Sequence, residues 1–262
     1  MRHQSAIATT ELQWTTDNDL SQLSGLGADW VNDYDANGNR VRLYIGGAVS
    51  EFVVDPSGLG DLVGDYEDTG SLNARYEYGY GLVSRLDAIA NRSYYTFDAL
   101  GNTSELVDRS SVVTDSYSYL PFGEILFSLN ATSEEFEFVG EAGVAKGPTD
   151  LSFMRARHYD PRIGRFISPD PLGLAGGDVN MYRYVGNNSV GKVDPSGLSE
   201  CWQGIDVECM KDCMVAFGFY NMQFPGPIRG DTQGYFQDLC LKACACLSDP
   251  EPTLEPDPEP AP

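Results

Sequence analysis

Apolar and polar residues alternate with a period of two over much of the first two hundred positions. "NRSYYTF" (Asn91–Phe97) and "DSYSYL" (Asp115–Leu120) rise into short polar stretches, and "RVRLYIG" (Arg40–Gly46) and "SELV" (Ser104–Val107) leave them. Strict alternation marks half-buried β-strands, and Asp, Asn and Gly between them mark tight turns. The frame repeats as "YDANGN" (Tyr34–Asn39) and "FDALGN" (Phe97–Asn102), and more loosely as "YLPFGE" (Tyr119–Glu124) and "YDPRIGR" (Tyr159–Arg165). Asp or Asn opens each turn, Gly takes the positive φ, and the aromatic packs on a neighbouring hairpin. A stack of such hairpins is a quasi-linear sheet with one face lined by Tyr and Phe. "DPSGL" at Asp55–Leu59 fits between the apolar Phe52–Val54 and the acidic turn Glu67–Gly70, so it predicts one more turn.

The period changes near residue 199. "VECMKDCMVAF" (Val207–Phe217) and "YFQDLCLKACACL" (Tyr235–Leu247) carry the helical spacing, separated by the breakers "FPGPIRGDTQG". The chain then divides into an N-terminal segment (1–30) readable as truncated repeats, hairpin repeats (31–150), a dense motif (151–198), a cysteine-rich helical module (199–248) and an acidic Pro-rich tail (249–262). The predicted class is mainly β: stacked hairpins, followed by a small α-helical hairpin.

Charge narrows the partners. A net charge of −22 argues against nucleic acid, whose phosphates demand surplus Lys and Arg, and against anionic membranes. No run of 18 apolar residues offers a membrane span, and the first residues lack the apolar core of a signal peptide. The expectation is export by another route or a start that lies further upstream.

All six cysteines fall between Cys201 and Cys246. The spacings Cys209-x-x-x-Cys213 and Cys240-x-x-x-Cys244 put each pair on one helix face. Antiparallel packing allows bridges Cys209–Cys244 and Cys213–Cys240, with Cys201–Cys246 outside them. Each would add about 2–4 kcal/mol to a module too small for a sufficient core. A four-thiolate zinc site and free thiols are the alternatives; x3 spacing is less usual than x2 for zinc, so no metal or cofactor is assigned. Disulfides would imply an oxidising compartment. Residues 199–262 hold eleven Asp and Glu against Lys211, Arg229 and Lys242, and the chain's two histidines, His3 and His158, lie elsewhere. His-dependent nuclease chemistry and the zinc-deaminase pattern are absent from this segment.

The second "DPSGL", Asp194–Leu198, ends "LSFMRARHYDPRIGRFISPDPLGLAGGDVNMYRYVGNNSVGKVDPSGL" (Leu151–Leu198). This passage closely resembles the core-domain signature that closes Rhs/YD-repeat proteins, and the repeats from Tyr34 extend the resemblance. Ser189 stands where the family usually has Pro after the two asparagines. The resemblance implies that YD strands spiral into a hollow shell, that the core motif plugs one end, and that the chain is cut after its final Leu. The scissile bond would be Leu198–Ser199. It further implies aspartyl-type self-cleavage without fixing which two carboxylates act; the expected pair is Asp170 with either Asp160 or Asp194, one activating water and the other donating a proton. Arg165 is the candidate for holding a carboxylate ionised or orienting the strand. Arg155 and Arg157 read as solvated or shell-lining charges, and each Asp-Pro step also reads as a plain turn opener.

Complete shells need far more repeat sequence than this chain carries, so its strip would leave strand edges open. The leading expectation is the C-terminal part of a secreted or surface-associated Rhs-like protein: a scaffold segment whose partners are its own upstream repeats or a larger Rhs shell. A self-cleaving toxin carrier releasing residues 199–262, with a cell-surface or immunity partner, is the second. A carbohydrate- or surface-binding repeat protein, using exposed tyrosines, is the third.

Overall fold

The structure, a computed structural model, describes residues 11–25, 29–55, 60–79, 81–129, 134–198 and 201–202. Its main body is one antiparallel sheet of twelve strands in chain order. The strands are β1 (Glu11–Trp14), β2 (Leu20–Ser24), β3 (Trp30–Tyr34), β4 (Arg40–Ile45), β5 (Ala48–Asp55) and β6 (Asp61–Glu67), then β7 (Leu72–Tyr78), β8 (Leu82–Asp87), β9 (Arg92–Phe97), β10 (Thr103–Asp108), β11 (Val113–Tyr119) and β12 (Ile125–Leu129). A smaller sheet joins β13 (Ala145–Lys146), β14 (Ser152–Met154), β15 (Arg157–Asp160) and β16 (Arg165–Phe166). β17 (Lys192–Val193) pairs with β18 (Cys201–Trp202). No α-helix occurs among the described residues. The predicted helical hairpin, with Cys209, Cys213, Cys240, Cys244 and Cys246, lies outside them.

The turn chemistry explains the meander. In "YDANGN" the Asp35 N–H donates to Asn39 O (2.9 Å) and the Gly38 N–H to Asp35 O (3.1 Å). Asp35 Oδ1 accepts from the Asn37 and Asn39 amides, while Asn39 Nδ2 donates to Asp35 Oδ2. "FDALGN" repeats every one of these bonds around Asp98 and Asn102. So does "DAIAN" (Asp87–Asn91), which the aromatic–Gly frame overlooks because Ala90 takes the left-handed position (φ 65°). "YLPFGE" keeps the backbone bonds alone, at Leu120–Glu124. The carboxylate acts as a local template for the turn, so the sequence at the fourth position can vary.

Alternation then sorts the faces. Leu43, Phe52, Tyr76, Tyr95, Leu106 and Tyr117 are buried on one side, while Val53, Val83 and Tyr94 stand exposed on the other. The buried side is covered by the chain's own return: Phe136, Ala145 and Phe153 complete that core. The tyrosine face is therefore not open for stacking on a sugar. Polar groups along the same return are paired. Glu134, fully buried, accepts from Arg85 and Tyr95, and Glu135 meets Arg40 at 2.7 Å. Tyrosines ahead of the turns tie hairpin to hairpin: Tyr34, Tyr78 and Tyr119 donate to the carbonyls of Leu20, Leu62 and Thr103 at 2.8, 3.0 and 2.9 Å.

Candidate functional site

After covering the sheet face, the chain folds over the hairpin ends. Phe138, Met154, Tyr159, Phe166, Tyr184 and Val193 form a second core, against which Leu100, Tyr119 and Phe122 from the turn side pack. The Glu141 N–H donates to Gly101 O, and Tyr159 Oη to Phe122 O (2.8 Å). This cap buries the second "DPSGL". The first lies between paired strands β5 and β6, with Asp55 opposite Asp61, as a hairpin connection requires; its Pro56–Leu59 fall outside the described residues.

Three consecutive residues hold the second copy by three consecutive carbonyls. Arg155 Nη1 donates to Pro195 O (2.7 Å), the Ala156 N–H to Ser196 O (3.1 Å), and Arg157 Nε to Gly197 O. Asp194 folds the motif from within: its Oδ1 accepts from Ser196 Oγ (2.9 Å) and from the Leu198 N–H (3.2 Å). The carboxylate thus sits beside the residue on the N-terminal side of the expected scissile bond. Ser199 lies outside the described residues.

Arg157 is the hub. Its Nη2 lies 3.2 Å from Asp170 Oδ2 and 3.4 Å from Asp194 Oδ2, Nη1 donates to Met181 O, and the guanidinium lies 3.6 Å from the Phe166 ring centroid. It is 4% exposed, and Asp194 is 2% exposed. Arg155 is also largely enclosed, so the expectation that both arginines are solvated or shell-lining charges is corrected. In each case buried acceptors compensate the cost of removing a guanidinium from water. Burial pushes Asp170 above the usual carboxylate range against the opposing pull of Arg157.

The remaining candidates sit apart from this hub. Asp160 is clasped by Arg162, through Nε (2.9 Å), Nη2 (2.8 Å) and the backbone N–H, in the turn joining β15 to β16. Arg165 faces Asp160 across that ladder and bridges Arg183 on its other side. The guanidinium on Asp170 and Asp194 is that of Arg157, two residues before Tyr159. His158 is buried, and that burial lowers its imidazole to about 3, so it stays neutral at physiological pH. No group of metal-ligating residues occurs among the described residues.

No family model matches the chain. Among curated proteins it is similar to the tRNA nuclease WapA of Bacillus subtilis, 28% identical over 196 residues, covering 70% of this chain and 8% of the relative. It is 50% identical over 54 residues to the probable deoxyribonuclease RhsB of Dickeya dadantii, covering 21% of this chain and 4% of that one. Among solved structures the TcdB2–TccC3 complex without its hypervariable C-terminal region superposes with a TM-score of 0.57 at 20% identity, over 73% of this chain and 10% of that one. The chain spans less than a tenth of the length of these curated relatives.

Proposed function

We infer a shell-closing role: the chain is an Rhs-related protein, and its twelve-stranded strip and cap form the C-terminal end of a larger Rhs-type β-shell. Its partners are then further repeats that extend the strip beyond β1. Secretion or surface association belongs to the same reading, and no helix among the described residues is long and apolar enough to cross a membrane.

One observation favours a self-cleaving carrier over an inert scaffold: Arg157 gathers Asp170 and Asp194 at the terminal motif, with Asp194 on the Leu198 amide. The reaction is hydrolysis of Leu198–Ser199. Water adds to the Leu198 carbonyl carbon, one carboxylate takes a proton from that water, and the other passes a proton to the Ser199 nitrogen as the C–N bond breaks. Asp194 already accepts from Ser196, Leu198 and Arg157, which suits it to the ionised role. Asp170, raised by burial, suits the proton-carrying role. Residues 199–262 would leave as the released segment. Intact mass and N-terminal sequencing of the purified chain test this. A fragment beginning at Ser199, absent in Asp170→Asn and unaffected in Asp55→Asn, is expected; an uncut wild-type chain, or a cut after Leu59, overturns it.

A further inference from the structure

Arg155 joins the two copies of "DPSGL". It sits in the two-residue connection between β14 and β15, where Met154 and Arg157 pair. Its backbone is left-handed, at φ 51°. That conformation disfavours a residue with a Cβ and suits Gly, so local turn chemistry does not account for an arginine there. The side chain does. Nη1 donates to Pro195 O (2.7 Å) in the second motif, and Nη2 donates to Ala142 O (2.8 Å) in the return segment. Nη2 also lies 3.4 Å from Asp61 Oδ1. Asp61 opens β6, two residues past the end of the first "DPSGL" and opposite Asp55. Gly143 makes room for the pair: a Cβ there would lie 3.1 Å from Arg155 Nη2 and 3.2 Å from Asp61 Oδ1.

We propose that Arg155 is a positioning residue that couples the seating of the β5–β6 hairpin to the register of the Asp194–Leu198 motif. Resting on the self-cleavage reading, this assigns Arg155 a task separate from the hydrolysis itself. Its guanidinium donates to the chain at Pro195 O, three residues before the expected scissile bond, and Asp194 adds an electrostatic pull on it. When the hairpin is docked, Asp61 and Ala142 O fix the guanidinium and the Pro195 carbonyl is held. When the hairpin is displaced, the guanidinium loses its charged anchor and the motif loosens. The sheet would thereby report its completion to the cleavage site.

Two readouts on the full chain test the coupling: hydrogen exchange at the Ser196–Leu198 amides, and the fraction ending at Leu198 over time. Asp61→Ala should raise motif exchange and slow cleavage about tenfold, the scale of one hydrogen bond to a charged group, with β9–β12 protection unchanged. Arg155→Gly relieves the left-handed turn yet should loosen the motif as much, whereas Arg155→Lys should restore part of both readouts. A role confined to the turn predicts the opposite for Arg155→Gly, namely tighter protection. Unchanged motif exchange in Asp61→Ala, or in Arg155→Gly, overturns the coupling. If the wild-type chain is not cut, the self-cleavage reading fails while the exchange data still decide whether Arg155 transmits the state of the hairpin.

Discussion

Gly197 is where the second "DPSGL" is least replaceable, and Gly197→Ala isolates the reason. Gly197 adopts φ 69°, so Ala carries the left-handed penalty of roughly 1–2 kcal/mol. Space adds more. A Cβ would fall 2.3 Å from Met154 O and 3.0 Å from Arg157 N, both backbone atoms that cannot rotate away. The motif must withdraw from the β14–β15 connection, and the bonds to Pro195 O, Ser196 O and Gly197 O are then at risk. At about 0.5–1.5 kcal/mol net for each, their loss brings the total to roughly 2.5–6.5 kcal/mol. Gly38→Ala is the control, because Gly38 has φ 80° and nothing within 4 Å of its Cβ position. It should carry the conformational penalty alone, about 1–2 kcal/mol. Urea unfolding of both variants, with analysis for a Ser199 terminus, makes the comparison. Equal destabilisation, or a Gly197→Ala chain that still ends at Leu198, would refute the argument that close backbone approach fixes this motif.

Two further predictions concern the sheet and the cap. Tyr34→Phe, Tyr78→Phe and Tyr119→Phe each remove a hydroxyl from a neighbouring hairpin's carbonyl and should each lower unfolding stability by about 0.5–1.5 kcal/mol, whereas the same change at exposed Tyr94 should have no measurable effect. His158 is held at about 3 in the folded chain and returns to about 6.5 when unfolded. The unfolded state therefore binds the extra proton between these values, and this contribution to stability, present above pH 6.5, falls as the solution is acidified. By pH 5 the loss amounts to about 2 kcal/mol, and the unfolding free energy across a pH series should be flatter by that amount in His158→Gln.

Much of this architecture is legible because it is local. Period-two alternation and Asp-opened turns specify each hairpin, and a meander needs only that neighbours in sequence pair in space. The frame built on an aromatic and Gly missed Asp87–Asn91, because what directs that turn is the Asp carboxylate with Asn four residues on, not the glycine. The cover over the tyrosine face was not legible. Phe136 meets Tyr76 at 4.8 Å, and Glu134 meets Arg85 and Tyr95, across separations that no local pattern encodes.

The same distinction separates the carboxylates. Asp160 and Arg162 lie two residues apart in "YDPRIG", and a local clasp between them satisfies both. Asp170 and Asp194 have no arginine so near in sequence to claim them; the cation they share comes from β15, and reading "RAR" as two solvated charges conceals it. Both acids are gathered on Arg157 at the hub, and Arg155 adds its own electrostatic pull on Asp194. Burial raises Asp170 against the pull of Arg157, which favours it as the proton-carrying member in the proposed hydrolysis. In the proposed reaction Asp194, which accepts the Leu198 N–H, would then be the member against the bond to be cut, with Asp170 across the guanidinium, a division of roles that neither "DPSGL" alone nor the first copy's hairpin could supply.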